Sequence, residues 1–306
     1  MLVRLWFLAT LLVVGVVSTG AQASFRTLII TTEPDAIVWV DDVRHGTTGD
    51  DGKITIKTIS PGAHSIRVRA NGFKELTKTI TAAQKGDISI PLTKTTDEAE
   101  ISYQQAEALT LTDREKAIEA YRKAIRLRPR YPEAYLGLAR VYSDMGDAEN
   151  ALKAIRDARR LRPVYAEASA VEGRILKDSG EETKAIAAFN RSLKEAKNSQ
   201  PEANTGLGLL YKDKAEASAS TTDFDGEAEN YALSAKHLQS AVKQLSGAPD
   251  AIVVYQILGL VYEKQRKYKE AIGVYREFLK VFPDSNEATA VESYIVQIEK
   301  QMREPK

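Results

Sequence analysis

Three histidines are the first candidates for metal or nucleophilic chemistry: His45, His64 and His237. They stand far apart in the sequence, and none has the spacing of a metal-binding pair or of a nucleophile and its base. Cysteine is absent, so neither a thiolate metal site nor a disulfide framework is expected. His64 begins a predicted strand, where a turn or surface role is the simpler interpretation. The sequence therefore predicts no enzyme, no catalytic residue and no cofactor.

A second candidate is a calcium loop that begins at Thr221. Asp223, Asp225 and Gly226 match the third, fifth and sixth positions of such a loop. The first position is not acidic, however, and the twelfth is Ala232 instead of the glutamate that binds calcium through both oxygens. We therefore expect no metal at this segment.

The charge balance argues against nucleic acid as a partner. The chain has 43 Lys and Arg against 42 Asp and Glu, a formal net charge of +1. A nearly neutral chain lacks the long-range field that draws proteins to nucleic acid or anionic lipid.

The N-terminus predicts export. Arg4, an apolar run from Leu5 to Val17, and the small residues of Ala21-Gln22-Ala23 predict a signal peptide over residues 1–23. The run is shorter than the ~20 residues that a transmembrane helix needs, although an uncleaved anchor is the alternative. We expect a protein of the bacterial periplasm or cell surface, with no transmembrane span after cleavage.

Residues 24–93 alternate with a period of two. Short β-branched runs, each bounded by turn residues, are Leu28-Ile30, Ile37-Val40, Ile54-Ile56, Ile66-Arg69, Leu76-Ile80 and Ile88-Ile90. Strands at this spacing predict a small antiparallel β-sandwich. In the fourth strand we expect Ile66 and Val68 to face the core, and Arg67 and Arg69 to face water.

A turn motif in this segment resembles a known family. Pro61-Gly62-Ala63-His64 leads into an alternating strand and then Asn71-Gly72-Phe73, and Thr31-Thr32-Glu33-Pro34 precedes the second strand. Together they are similar to the PEGA domain, a small β-sandwich module of bacterial envelope proteins. Ser60 and Thr48-Gly49-Asp50-Asp51 depart from the family's pattern. The resemblance implies docking to an envelope component.

After a linker at 94–97, the chain repeats every 34 residues. Ala117, Ala151 and Ala185 mark the interval. The second repeat carries Tyr135, Leu138, Ala139, Tyr142, Gly146, Ala151, Ile155, Ala158 and Pro163. Period and pattern resemble the tetratricopeptide repeat (TPR), which implies antiparallel helix pairs stacked into a solenoid.

The repeats cover residues 98–285. We predict about five, at roughly 98–131, 132–165, 166–200, 201–251 and 252–285. The fourth carries an insertion at 217–230, expected to lengthen its helices or form a loop, and residues 286–306 are predicted to form a capping helix and tail. The predicted fold class is multidomain, with a small all-β PEGA-like sandwich followed by an all-α TPR solenoid.

The resemblance places the fifth, ninth and twelfth positions of each repeat on a concave groove. Basic residues at these positions are Arg140, Arg174, Lys177 and Lys212. They form a candidate basic stripe for the carboxylates of a partner protein or peptide. A solvated charged helix face explains the same residues.

These features favour a non-catalytic exported scaffold or adaptor. The solenoid would bind a partner protein while the PEGA-like domain docks to an envelope component. One alternative is a cell-wall or glycan-binding module with the solenoid as a spacer, and another is a non-catalytic subunit of a secretion or surface-polymer machine. The β-rich segment offers only Trp39, Phe73 and Phe25 as aromatic surfaces for a sugar, and Trp39 alternates with core positions.

Overall fold

The computed structural model describes residues 25–303, so the predicted signal peptide at 1–23 lies outside the described residues. The strands are β1 Arg26–Thr31, β2 Ile37–Val40, β3 Val43–Thr47, β4 Lys53–Ile59, β5 His64–Arg69, β6 Leu76–Ile80 and β7 Gly86–Ser89. The helices are α1 Glu98–Leu109, α2 Arg114–Leu127, α3 Pro132–Asp144, α4 Ala148–Leu161, α5 Ala166–Asp178, α6 Glu182–Glu195, α7 Pro201–Ser220, α8 Phe224–Leu245, α9 Ala251–Lys264, α10 Tyr268–Val281 and α11 Ala288–Arg303.

The strands form a two-sheet sandwich, hereafter the β-domain. One sheet has the order β4-β1-β7 and the other β3-β2-β5-β6. Alternate residues such as Ile30, Val38 and Ile66 are fully buried between them. The prediction of an antiparallel sandwich is wrong for one pair, because β7 runs parallel to β1. The chain reaches β7 from β6 in the opposite sheet, so this connection is a crossover and need not reverse direction.

Strand β3 was not predicted, because Arg44-His45-Gly46 contains no β-branched residue. It pairs with β2 through a turn at Asp41 and Asp42, whose φ angles are 50° and 64°. Two residues in the left-handed region suit the twist of a tight hairpin, and aspartate tolerates that conformation. The sequence signal for this hairpin was therefore the pair Asp41-Asp42, which follows the apolar run of β2.

Helices α1 to α10 form five antiparallel pairs, and α11 packs on α10. The first helix of each pair is here called the inner helix, and in the middle of the solenoid α3 contacts α5 and α5 contacts α7. The inner helices therefore line the inside of the curve. The fourth pair is longer than the others, with 20 and 22 residues, because residues 217–230 continue α7, turn, and begin α8.

Glycines in the inner helices allow aromatic rings to pack between repeats. A Cβ atom at Gly206 would lie 2.2 Å from Cζ of Phe189, and one at Gly173 would lie 2.5 Å from its Cδ1. The ring of Phe189 is therefore held between α5 and α7, and it is 1% exposed. Close packing of this kind fixes the angle between consecutive repeats.

The β-domain docks on the first repeat through a buried arginine. The prediction that Arg69 faces water is wrong, since the residue is only 7% exposed. Its Nε donates to Glu75 at 2.7 Å and its Nη1 to the Tyr103 hydroxyl at 3.2 Å, and it also pairs with Glu107. Arg69 does point away from the sandwich core, but α1 covers that face of the sheet. Burial alone would lower the pKa of Arg69, yet Tyr103, Glu107 and Glu75 outweigh it and the pKa is raised.

A second contact joins the β-domain to the turn between α8 and α9. Thr58 Oγ1 donates to the Ser246 carbonyl at 2.7 Å, and Ser246 Oγ donates to the Thr58 carbonyl at 2.9 Å. Val43 packs with the buried residues of the last two helix pairs. The β-domain therefore bridges the first and fourth repeats. No helix within residues 25–303 combines the length and apolarity required to cross a bilayer.

Candidate partner-binding site

The predicted basic stripe lies on the inner helices. Arg140 is on α3, Arg174 and Lys177 are on α5, and Lys212 is on α7. Only Arg140 and Arg174 come together, because both approach the Glu202 carboxylate. The two lysines each pair locally, so the structure does not present four equivalent cations.

Arg140 is paired within the chain. Its Nη1 and Nη2 donate to the two oxygens of Glu202 at 3.2 and 2.8 Å, and Nη2 also donates to Glu167 at 3.1 Å. Burial would lower the pKa of Arg140, but Glu202 and Glu167 outweigh it and raise that pKa. Burial likewise raises the pKa of Glu202, and the Arg140 guanidinium outweighs it, so the pKa lies below its ordinary value. Both groups are therefore charged, and they tie the second repeat to the fourth.

The lysines of the stripe are also paired. Lys177 Nζ lies 2.9 Å from Asp178, and Lys212 Nζ lies 2.9 Å from Glu216 and 3.2 Å from Asp213. Burial would lower the pKa of Lys212, but its hydrogen bonds to Glu216 and Asp213 outweigh that effect and raise the pKa. A partner carboxylate would have to compete with these neighbouring acids.

Arg174 differs from the other three. Its closest carboxylate oxygens are 3.8 Å away on Glu202 and 3.9 Å away on Asp144. Its Nε and Nη2 are buried, and neither has a hydrogen-bond partner among the described residues. Buried donors in folded proteins are normally satisfied, so this guanidinium, whose side chain is 34% exposed, is the member of the stripe with unfilled hydrogen-bonding capacity.

The groove becomes apolar toward the last repeat. Leu209 and Leu260 occupy the position that Arg140 and Arg174 hold in their repeats. Leu260 on α9 is 39% exposed, and Val253, two turns earlier, is 57% exposed. Leu136 and Ala170, at the fifth positions of the second and third repeats, are buried against neighbouring helices and are not available to a partner.

One side-chain cluster has the composition of a hydrolase triad. His64 Nδ1 lies 2.6 Å from Asp41 Oδ2, and its Nε2 lies 3.4 Å from Ser60 Oγ. The same Nε2 is closer to the Ser60 carbonyl, at 2.9 Å, and a carbonyl can only accept. Nε2 is therefore a donor and not the base that would deprotonate a serine. The cluster braces the turn before β5.

His237 and the calcium-like segment also have structural partners. His237 Nδ1 lies 3.0 Å from Asn204 Oδ1, and its ring stacks on Tyr211. Asp223 caps α8 by accepting from the Gly226 amide. Within the part of the chain that the structure describes, no three acidic, histidine or cysteine side chains are grouped to hold a metal.

Comparison with protein families separates the chain into two regions. A PEGA domain profile matches residues 25–96. Profiles described as TPR repeat or tetratricopeptide repeat match residues 113–146, 136–201 and 254–285. The chain carries a PEGA domain followed by tetratricopeptide repeats.

Solved structures show the same fold for the TPR region. The chain is similar to yeast Tom70, with 17% identity and a TM-score of 0.54 over 68% of this chain and 41% of that one. It is also similar to the Cut9-Hcn1 hetero-tetramer of APC/C, with 17% identity and a TM-score of 0.52 over 68% and 38%. The chain thus spans about two fifths of each of these proteins. A MamA structure matches with 22% identity and a TM-score of 0.44, over 64% of this chain and 96% of that one. No curated protein matches the sequence.

Sequence reasoning missed the carboxylate at the centre of the TPR groove. Glu202 was not singled out, although Glu133 and Glu167 stand at the same position of the two preceding repeats. An acidic residue recurring two positions into the inner helix was the available signal. Arg140 and Arg174 lie 3.1 and 3.8 Å from the acidic residue of the next repeat, and Arg140 also reaches Glu202 two repeats further on, so the acidic row lies beside the arginine row.

Proposed function

We propose that this protein is a non-catalytic exported scaffold, in which the TPR groove binds a partner protein and the PEGA domain docks to an envelope component. Proteins with tetratricopeptide repeats present an extended concave surface suited to peptides and helices. The repeats and the similarity to solved TPR structures support the scaffold part of the proposal.

Arg174 is the observation that carries the proposal. Two of its nitrogens are buried without a hydrogen-bond partner in residues 25–303, inside a groove whose other cations are paired. The side chain is 34% exposed, so a rotation of the guanidinium would bring both nitrogens to an incoming carboxylate in a bidentate arrangement, which a lysine could not offer. Arg140 has a different role, because it holds Glu202 in place beside Arg174.

The partner segment should combine two chemistries. An acidic residue would bind at Arg174, and apolar residues would follow toward Leu260 and Val253 on α9. Burying exposed apolar side chains adds about 25 cal/mol per Å² of area removed from water, so the apolar part contributes affinity while the ion pair sets the register.

The glycan-binding alternative has less support. Trp39 would be the main sugar-stacking surface of the PEGA domain, yet the Arg67 guanidinium lies 4.1 Å from its ring centroid and that of Arg69 lies 5.1 Å away. A ring covered by two arginines does not offer its face to a sugar. Export and docking by the PEGA domain rest on the N-terminal apolar run and on the kind of protein in which PEGA domains occur.

The test compares two charge reversals in cells. The tagged protein carries either Arg174→Glu on the inner face or Lys236→Glu on the exposed side of α8, and bound proteins are quantified after mild crosslinking. We expect a bound protein whose recovery falls at least about tenfold with Arg174→Glu, the loss of one charge-assisted pair, and is unchanged with Lys236→Glu. Equal recovery with both variants would contradict the proposal.

A further inference from the structure

The outer helices of the first two repeats carry a stripe of basic residues. The stripe consists of Arg122, Lys123 and Arg126 on α2 and Lys153, Arg156 and Arg160 on α4, all exposed. Apart from the adjacent pair Arg122 and Lys123, they are spaced three, four or seven residues apart, so each set lies on one side of its helix. We call this surface the outer basic face.

The repeat aligns the cations of the two helices. Arg122 and Arg156 are 34 residues apart, as are Arg126 and Arg160, so they occupy equivalent positions in successive repeats. In the third repeat Asn190 takes the position of Arg122, Arg191 pairs with Glu172, and only Lys194 remains at the position of Arg126. Arg276 and Lys280 hold the positions of Arg122 and Arg126 on α10, but Arg276 pairs there with Glu299, so the cluster of six cations is found on α2 and α4.

Most of these cations have no acidic partner. Among the described residues, no carboxylate lies within 4.0 Å of Lys123, Arg126, Lys153 or Arg156, whereas Arg160 pairs with Asp157 at 3.1 Å. The arginines of the groove and of the domain junction are all close to carboxylates. Basic residues in a last helical turn complement the helix dipole, which accounts for Arg126 and Arg160 only.

Apolar side chains border the same face. Leu127 ends α2 and is 47% exposed, and Val164 follows α4 and is 68% exposed. Apolar groups beside cations suit the boundary between headgroups and acyl chains, where arginine and lysine bind phosphate and the apolar groups insert. The face carries no aromatic residue on which a base could stack, which favours a lipid headgroup over a nucleic acid strand.

We propose that the outer basic face docks the protein on a membrane surface that contains anionic phospholipid, which leaves the TPR groove free for its partner. The near-neutral net charge does not oppose this, because at physiological salt charges beyond about 8 Å are screened and only the local cluster acts. Phosphate oxygens of the headgroups would pair with the arginines, and each basic residue near the surface contributes about fivefold in affinity.

The test uses the chain from residue 24, which keeps every strand and helix given above and lacks the N-terminal apolar run. Binding is measured by co-sedimentation with vesicles of phosphatidylcholine alone and of phosphatidylcholine mixed with phosphatidylglycerol. The variant Arg126→Glu/Arg156→Glu is compared with Lys269→Glu/Lys280→Glu, which makes the same charge change on exposed residues of α10.

We expect binding only to the anionic vesicles. At about fivefold for each cation removed, the first variant should bind at least about 25-fold more weakly, and the control should bind as the wild type does. Wild-type binding should also weaken steeply toward about 1 M salt, where the screening length is about 3 Å, a result that does not depend on any variant folding. Equal binding to both vesicle types, equal loss in both variants, or retention on a single-stranded oligonucleotide but not on vesicles would overturn the proposal.

Discussion

The junction between the PEGA domain and the first repeat depends on Arg69, which makes Arg69→Ala the most informative substitution. Its side chain is only 9% exposed, and its removal leaves Glu75, Glu107 and the Tyr103 hydroxyl without their shared donor. The Arg69 guanidinium also lies 4.8 Å from the centroid of the Tyr103 ring, a cation–π contact that would be lost.

The loss of stability in Arg69→Ala depends on how much hydration Glu75 and Glu107 recover once the guanidinium is gone. Removing one member of a buried ion pair costs about 3–5 kcal/mol when the remaining charge stays buried. The Glu75 and Glu107 side chains are 32% and 27% exposed, so water recovers part of that cost. We expect the free energy of unfolding to fall by about 2–4 kcal/mol. Arg69→Lys should lose an intermediate amount, because one ammonium cannot reach all three partners.

Trp39 provides the assay. It is the only tryptophan in the chain from residue 24, since the second, Trp6, precedes that point. Its fluorescence in a urea titration therefore reports the PEGA domain, while circular dichroism reports the helices. In the wild type we expect the two transitions to coincide, and in Arg69→Ala we expect the Trp39 transition to move to lower urea and separate. The control is Arg44→Ala, an exposed arginine on β3. If Arg69→Ala changes stability no more than this control, the coupling argument is refuted.

Two further predictions concern packing and pH. Gly206→Ala should destabilise the repeats by about 1–3 kcal/mol, because its Cβ would overlap the Phe189 ring, whereas Gly273→Ala, with open space around it, should stabilise them by about 0.5–1 kcal/mol; urea titrations followed by circular dichroism measure both. Burial lowers the pKa of His45 to about 4 against the opposing charge of Asp41, and the unfolded value is 6.5. The unfolded chain therefore binds the proton first, and stability is lost as pH falls from 6.5 toward 4, by up to about 3 kcal/mol. His45→Gln should remove that part of the acid sensitivity, and an unchanged difference between pH 7 and pH 4.5 would contradict the reasoning.

The repeat architecture was predictable because packing between helix pairs imposes a fixed interval on the sequence. The recurrence of Ala117, Ala151 and Ala185 encodes the close approach of two helices, and no distant part of the chain is needed to read it. The domain contacts could not be read in this way. Alternation in β5 correctly assigned Arg69 to the outer side of its sheet, but it carried no information on which helix covers that side.

In the groove, too, the positions of residues could be predicted from the repeat, whereas their contacts with distant residues could not. The positions of Arg140 and Arg174 followed from the repeat, since equivalent residues fall on equivalent faces. Their different environments did not follow, because Glu202 comes from a repeat 62 residues beyond Arg140. The angle between consecutive repeats determines that Glu202 bonds Arg140 and leaves two nitrogens of Arg174 without a partner. That angle depends on contacts such as the Phe189 ring between Gly173 and Gly206.

The central claim is that the inner face of the solenoid binds another protein. A photoreactive amino acid placed at Leu260 on the inner face of α9, and in a separate strain at Lys280 on the exposed side of α10, tests it in living cells. We predict that the Leu260 probe captures a discrete partner, that Arg174→Glu in the same chain removes this product, and that the Lys280 probe does not form it. Capture from Lys280 but not from Leu260, or capture from Leu260 that persists with Arg174→Glu, would contradict the account.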